Sequence, residues 1–329
     1  MNRFTKAIAL VGLLNATLGI SMVQGATTPE FPTRTVRMLV GFPPGAGVDF
    51  AARLVAQKLQ EEWGQAVIVE NRAGAGGNIA ADAVAKAAPD GYTMLLTSPG
   101  PIVVNQSLMA NMPYDPIKDL LPVTSVASGP NILAVRNDLP AKNVKELIAL
   151  AKASKDQLNY GSSGMGSTPH MAAELFKMMT NVDMVHVPYK GSADGVTDMI
   201  ARRLDLMITT MPALMGAVKG GGVRALAVTS LKRNPALPDV PTLNEAGIPG
   251  YEFGVWWALF YPANTSAPIV DKLHRSVQNM LKTEDVRAKL AAQNVEVAGN
   301  ASPREFSDFV RKEAAQWAKV IKTAGIKAN

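Results

Sequence analysis

The sequence predicts an α/β fold of two lobes, each a mainly parallel sheet flanked by helices, with two crossover strands forming a hinge. Strand patterns alternate with single amphipathic helices over residues 35–97, and the alternation resumes over 132–229. Strands separated by single helices require crossover connections and therefore a parallel sheet. Two further segments, 124–131 and 249–255, can carry the chain between lobes and absorb a hinge rotation. The predicted division is lobe 1 at 26–127 plus 252–329 and lobe 2 at 128–251.

The elements at the start of the first lobe follow from apolar periodicity. Ala51, Leu54, Val55 and Leu59 place apolar or small side chains on one face of a helix that ends near Gly64. The predicted strands are 35–40, 66–69 and 93–97, and the predicted helices are 50–64 and 78–86.

The second lobe and the C-terminal segment follow from the same periodicity and from glycine and capping signals. Three consecutive glycines at 220–222 end one helix, and Ser302 with Glu305 forms a capping box at the start of the last. The predicted strands are 132–135, 158–161, 186–188, 206–209 and 224–229. The predicted helices are 144–154, 169–179, 193–202, 211–219, 267–282, 284–293 and 303–324.

The N-terminus has the features of a cleaved signal peptide at residues 1–25. Arg3 and Lys6 precede a mostly apolar stretch, and small residues near Gly25 or Ala26 suit cleavage. The predicted location is therefore the periplasm. Removing the leader lowers the formal charge from +6 to +4, and the remaining basic residues are scattered. Such a distribution does not favour nucleic-acid binding.

Composition argues against several kinds of chemistry. The chain has no cysteine, which excludes disulfides and thiolates, and its 3 histidines lie far apart in sequence, which disfavours a metal site. Gly41, Gly45 and Gly47 follow a strand but lack dinucleotide-binding spacing. We therefore predict no metal, no cofactor and no catalytic residues.

Three glycine-rich turns precede helices, at 42–49, 70–78 and 161–168. Free backbone N–H groups and the partial positive charge at a helix start favour an anion. The alternative is that the first turn merely fits its helix onto the sheet. Recurrence in the opposite half of the chain favours one carboxylate gripped from both sides.

Six segments stand out along the mature chain: GFPPGAGVDFAAR at 41–53, VENRAGAGGN at 69–78, PDGY at 89–92, PYDPIKD at 113–119, GIPGY at 247–251 and residues 305–317. In this combination and order they resemble the solute-binding receptors of tripartite tricarboxylate transporters, the Bug family. The resemblance implies a two-lobed, type II-like periplasmic binding protein that delivers small carboxylates to a membrane transporter. It also implies that backbone amides and hydroxyls of two facing loops hold the ligand.

By this resemblance the facing loops are 42–49 and 162–168. The predicted ligand-binding residues are Phe42, Pro44, Gly45, Ala46, Gly47, Asp49, Ser98, Ser162, Ser163, Gly166, Ser167, Thr168, His170, Tyr189 and Asp194. Family members often have glycine at the position of Ala46, so the first loop is expected to be rearranged. They more often carry Pro-Ala where Asp194 and Gly195 stand.

Two of these candidates have a structural alternative. His170 either donates to a bound anion or packs and caps at its helix start, and the second role is the commoner one. Asp194 either pairs with a protonated nitrogen of the ligand or is an N-cap or first-turn residue of the following helix, and its position before Val196 favours the second role.

The predicted function is a receptor for a small organic acid or amino acid, acting as a monomer with membrane transporter subunits. One alternative is an exported serine hydrolase-like enzyme using a serine near Ser162 with His170 or His186, although no Gly-x-Ser-x-Gly elbow is present. Another is a ligand sensor for a signalling receptor.

Overall fold

The computed structural model describes residues 31–326. The predicted signal peptide at 1–25, with cleavage near Gly25 or Ala26, lies outside the described residues. Among residues 31–326, no helix combines the length and apolar character needed to cross a bilayer.

The strands form two sheets that share one strand. The strands are β1 (Val36–Val40), β2 (Val67–Asn71), β3 (Thr93–Thr97), β4 (Leu120–Arg136), β5 (Leu158–Ser162), β6 (Met184–Pro188), β7 (Leu206–Thr210), β8 (Val223–Val228), β9 (Gly254–Pro262) and β10 (Glu296–Val297). The order is β2-β1-β3-β9-β4-β7-β5-β6, with β8 and β10 also pairing with β4. Strands β1–β3 and β5–β7 pair in parallel, whereas β4 and β9 pair antiparallel with all their neighbours.

Helices cover both faces of each sheet. They are α1 (Gly47–Trp63), α2 (Asn78–Ala85), α3 (Asn105–Leu108), α4 (Val144–Ala153), α5 (Thr168–Thr180), α6 (Ser192–Ile200), α7 (Met211–Lys219), α8 (Ala267–Leu281), α9 (Glu284–Ala292) and α10 (Pro303–Ala324). A single 3-10 turn at Ala75–Gly77 precedes α2, and a π-helical turn at Gly100–Val104 precedes α3. One core cluster runs through both sheets and includes Leu95, Leu133, Phe176 and Phe306.

The crossover region differs from its prediction. The sequence predicts a strand only at 132–135, preceded by a crossing at 124–131, yet β4 is one strand of 17 residues. Its first part, Leu120–Pro130, pairs with β9, and its last part, Asn131–Arg136, pairs with β7 and β8. Prolines usually interrupt strands because they lack an N–H donor. Here Pro122 lies beside a register shift and Pro130 at the end of the β9 pairing, where this lack is tolerated.

Candidate ligand-binding site

Four helices begin around one cavity of about 290 Å³. Helix α1 follows the first sheet's strand β1, whereas α5, α6 and α7 belong to the second sheet, and residues from the first turn of each of the four lie in the cavity wall. The first N–H groups of a helix have no intrahelical acceptor, and the helix dipole adds partial positive charge there. The cavity is therefore suited to an anion without any cationic side chain.

Nine of the predicted site residues line this cavity. They are Phe42, Pro44, Gly45, Ala46, Gly47, Ser98, Ser163, Thr168 and Asp194. The other six (Asp49, Ser162, Gly166, Ser167, His170 and Tyr189) lie outside the lining, and most of them have structural partners instead.

Asp49 stabilises the first turn by hydrogen bonds and does not line the cavity. Its buried carboxylate accepts hydrogen bonds from Gly45 N (2.9 Å), Arg53 Nε (3.0 Å) and Asn71 Nδ2 (2.8 Å). Burial opposes the charged form, but these bonds outweigh it and hold the pKa of Asp49 below its usual value. Helix α1 begins at Gly47 with Ala46 as its N-cap, three residues before the predicted start at 50, so Asp49 lies in its first turn.

Ala46 fits the first turn without backbone strain. Its φ of −64° and ψ of 153° are ordinary extended values, and the left-handed position of the turn is taken by Gly45 at φ +83°. The side chain of Ala46 therefore requires no rearrangement of this turn.

The turn at 161–168 is held by two buried histidines. The Ser162 hydroxyl lies 2.6 Å from His186 Nε2, and Gly166 N donates to His170 Nδ1 at 3.1 Å. The two imidazoles stack with ring centroids 4.2 Å apart. Burial lowers the pKa of His170 to about 4 and that of His186 to about 3, so both rings are neutral near pH 7. A neutral His170 can accept the Gly166 bond, whereas a charged ring cannot.

Ser162 is not placed to act as a hydrolase nucleophile at the cavity. Ser162 contacts the ring nitrogen that a general base would use, but it has no exposed surface and also receives a bond from Gly164 N at 3.1 Å. A serine so enclosed has no path to a substrate carbonyl in this conformation. Within residues 31–326, no group of three His, Cys, Asp or Glu side chains is arranged to hold a metal ion, although His170 and His186 meet.

Tyr189 and Ser167, the remaining two predicted residues, also lie outside the cavity lining. Tyr189 donates to Asp198 at 2.9 Å, and burial together with this carboxylate raises the Tyr189 pKa to about 12. Ser167 is the N-cap of α5 and is fully buried.

Two turns from different sheets touch beside the cavity. A Cβ on Gly76, whose φ is +63°, would lie 2.3 Å from the Met165 carbonyl oxygen. Gly166 has φ +69°, and a Cβ there would overlap Asn105 Oδ1 at 1.6 Å. Gly76 is needed because two backbones approach closely there, and Gly166 because the Asn105 side chain fills the space of a Cβ; at both positions the left-handed conformation also disfavours side chains.

Two hydroxyls in the lining are shielded from solvent and have no partner within the described chain. Ser98 and Thr168 are each 4% exposed, and neither Ser98 Oγ nor Thr168 Oγ1 has a hydrogen bond within the described chain. A buried polar group without a partner costs free energy, so such groups in a cavity point to a bound molecule. Among the described residues of the lining, Asp194 is the single ionisable side chain.

Sequence reasoning missed the cavity residues supplied by α7 and β9. Pro212 and Ala213 lie in the first turn of α7, and Val255 and Trp257 come from β9. The Trp257 ring packs against Gly47 at the start of α1, where a Cβ would be 2.7 Å from the ring. The sequence offers one signal for the α7 residues. Proline favours the first turn of a helix, so Pro212 after Met211 marks a helix start.

The family model described as "Tripartite tricarboxylate transporter family receptor" matches residues 51–326, so the chain belongs to that receptor family. The family is one of periplasmic solute-binding proteins, and the fold is that of two-lobed periplasmic binding proteins.

Three solved structures are similar over nearly their whole length. "R. palustris Rpa4515 with adipate" is 42% identical with a TM-score of 0.86, covering 90% of this chain and 99% of that chain. The periplasmic binding protein BugD is 34% identical with a TM-score of 0.85, covering 91% of this chain and 100% of that chain. MatC from Rhodopseudomonas palustris with bound malate is 33% identical with a TM-score of 0.84, covering 88% and 100%.

Proposed function

We propose that this protein is a periplasmic receptor that captures a small carboxylate in the cavity described above and delivers it to a tripartite tricarboxylate-type membrane transporter. The observation that carries the proposal is the pair of partnerless hydroxyls, Ser98 and Thr168, at the convergence of four helix N-termini. Adipate and malate, the ligands of two similar proteins, are carboxylates of suitable size.

The carboxylate accepts hydrogen bonds from Ser98 and Thr168 and from free amides in the first turn of α1. Fixed dipoles replace the hydration of the anion, so no arginine clamp is required. Phe42, Val48 and Trp257 offer apolar surface to the body of the ligand.

Binding favours a closed arrangement of the two lobes, proposed at 26–127 plus 252–329 and at 128–251. The ligand contacts elements of both sheets, so it binds the closed form more tightly than the open form and shifts the population toward it. The membrane transporter recognises the closed form. We also propose that the predicted leader exports the protein to the periplasm. There it acts as a receptor and catalyses no reaction.

Replacing Thr168 by valine tests the site. Valine keeps the shape but removes the hydroxyl, so we expect affinity for the bound acid to fall about tenfold. The ligand-free protein should keep its melting temperature, because the lost hydroxyl has no protein partner. A thermal-shift screen of small carboxylic acids, including adipate and malate, identifies the ligand, and calorimetry gives the affinity.

Thr180→Val is the matched control. Thr180 lies in the same helix, but its hydroxyl donates to the Phe176 carbonyl at 2.6 Å, outside the cavity. Equal affinities of the Thr168 and Thr180 variants, or no acid that raises the melting temperature, would contradict the proposal.

A further inference from the structure

Asp194 is the feature of the cavity that carboxylate binding leaves unexplained. It lies in the lining, and its side chain has no hydrogen bond or ion pair with any residue of 31–326. No lysine, arginine or histidine occurs among the described lining residues. A lone carboxylate beside an anion site disfavours the anion unless something neutralises it.

Helix capping does not account for Asp194. The N-cap of α6 is Gly191, and no side chain caps that helix. True caps in this chain are recognisable, because Asn143 accepts from Glu146 N at 2.9 Å and Ser302 accepts from Glu305 N at 3.1 Å. Asp194 lies in the first turn of α6, a position where acidic residues are common. Its carboxylate accepts no capping hydrogen bond from a backbone N–H group of that helix.

The cavity has two chemically different ends. Ser98 and Thr168 are buried, whereas Asp194 and its neighbour Ala193 are exposed. Since buried residues line the inner part of a cavity and exposed residues its rim, an acid bound at these hydroxyls can extend toward the negative charge of Asp194. A second carboxylate at that rim would be repelled by Asp194, whereas a protonated nitrogen would form a charge-assisted hydrogen bond.

We propose that the ligand is a zwitterion, an amino acid or another acid with a protonated nitrogen, and that Asp194 selects it over the corresponding simple acid. This inference rests on the proposed function, because it takes the carboxylate to occupy the inner end. Asp194 acts as a specificity-determining residue that pairs with the cationic nitrogen.

Matched ligand pairs test this selection. Calorimetry compares glutamate with glutarate, aspartate with succinate, and 6-aminohexanoate with hexanoate and adipate, on the wild type and on Asp194→Asn. For the tightest zwitterion we expect Asp194→Asn to lower affinity about tenfold, since a charged hydrogen bond is lost at a partly exposed site. Hexanoate, which has neither a nitrogen nor a second carboxylate, should change by less than about twofold, and the dicarboxylates glutarate, succinate and adipate should bind more tightly.

Asp156→Asn is the control, because it makes the same charge change at an exposed residue outside the cavity. It should leave every affinity unchanged. Equal effects of Asp194→Asn on both members of a pair, or a wild type that prefers the dicarboxylate, would overturn the inference alone. If neither protein binds any of these acids, the proposed function fails as well.

Discussion

Replacing Gly76 by alanine is expected to lower ligand affinity at least about a hundredfold, equivalent to about 2.7 kcal/mol. The new Cβ would lie 2.3 Å from the Met165 carbonyl oxygen, far inside van der Waals contact. The two turns belong to different sheets, so the clash acts on the arrangement that brings both halves around the ligand. If the lobes open without ligand, as proposed, the ligand-free protein should lose only about 1 kcal/mol from the left-handed backbone. Calorimetry and urea unfolding measure the two quantities.

Gly64→Ala separates the clash from the backbone cost. Gly64 has φ +66°, close to the +63° of Gly76, but a Cβ there meets nothing within 4 Å. We expect this control to lose similar stability and no affinity. If both variants bind alike, the contact between the two turns does not govern ligand binding.

Acidification from pH 6.5 to 4 is expected to destabilise the protein through the stacked histidines. Burial depresses the folded-state pKa of His170 to about 4, so the unfolded chain takes up a proton first as pH falls below about 6.5. The stabilisation is complete above the unfolded pKa and is lost progressively down to the folded pKa. At 1.36 kcal/mol per pKa unit, His170 alone accounts for about 3 kcal/mol. Urea unfolding across this pH range measures the loss.

His170→Asn should flatten that pH profile, because asparagine is not titratable and its amide oxygen can still accept the Gly166 N–H bond. His274→Asn is the control, since His274 bonds to the Asn300 carbonyl at 2.9 Å, away from the stack. Carboxylates also respond to acid, so the informative quantity is the difference between each variant and the wild type. A His170 variant with the wild-type slope would contradict the assignment.

The alternating elements were predictable because their signals are local. Strand β3 and helices α7 and α10 have the bounds that periodicity and glycine, proline and capping signals predict. The Ser302–Glu305 capping interaction is confirmed, with Glu305 Oε2 accepting from Ala301 N at 2.7 Å. Strand β4 was not predictable at full length, because Pro122 and Pro130 resemble breaks until the pairing with β9 is known.

The prediction of site residues failed where the residue type does not show whether a side chain lines the cavity. Asp49 and His170 are polar residues at glycine-rich turns, as ligand contacts would be, but they hold the turns in shape from behind. Trp257 and Pro212 reach the cavity only because β9 and α7 converge on α1, which no local pattern encodes. The sequence shows that Ser98 and Thr168 are polar and follow predicted strands. That their hydroxyls have no hydrogen-bond partner is visible only in the three-dimensional structure.

Strand β4 also determines how the molecule melts. Its backbone pairs with β9 and β10 at one end and with β7 and β8 at the other, so loss of either sheet strips hydrogen bonds from the same 17 residues. A core cluster spanning both sheets adds to this linkage. The halves should therefore lose their order together in a single cooperative calorimetric peak, and neither half should keep a native structure when expressed as a separate fragment.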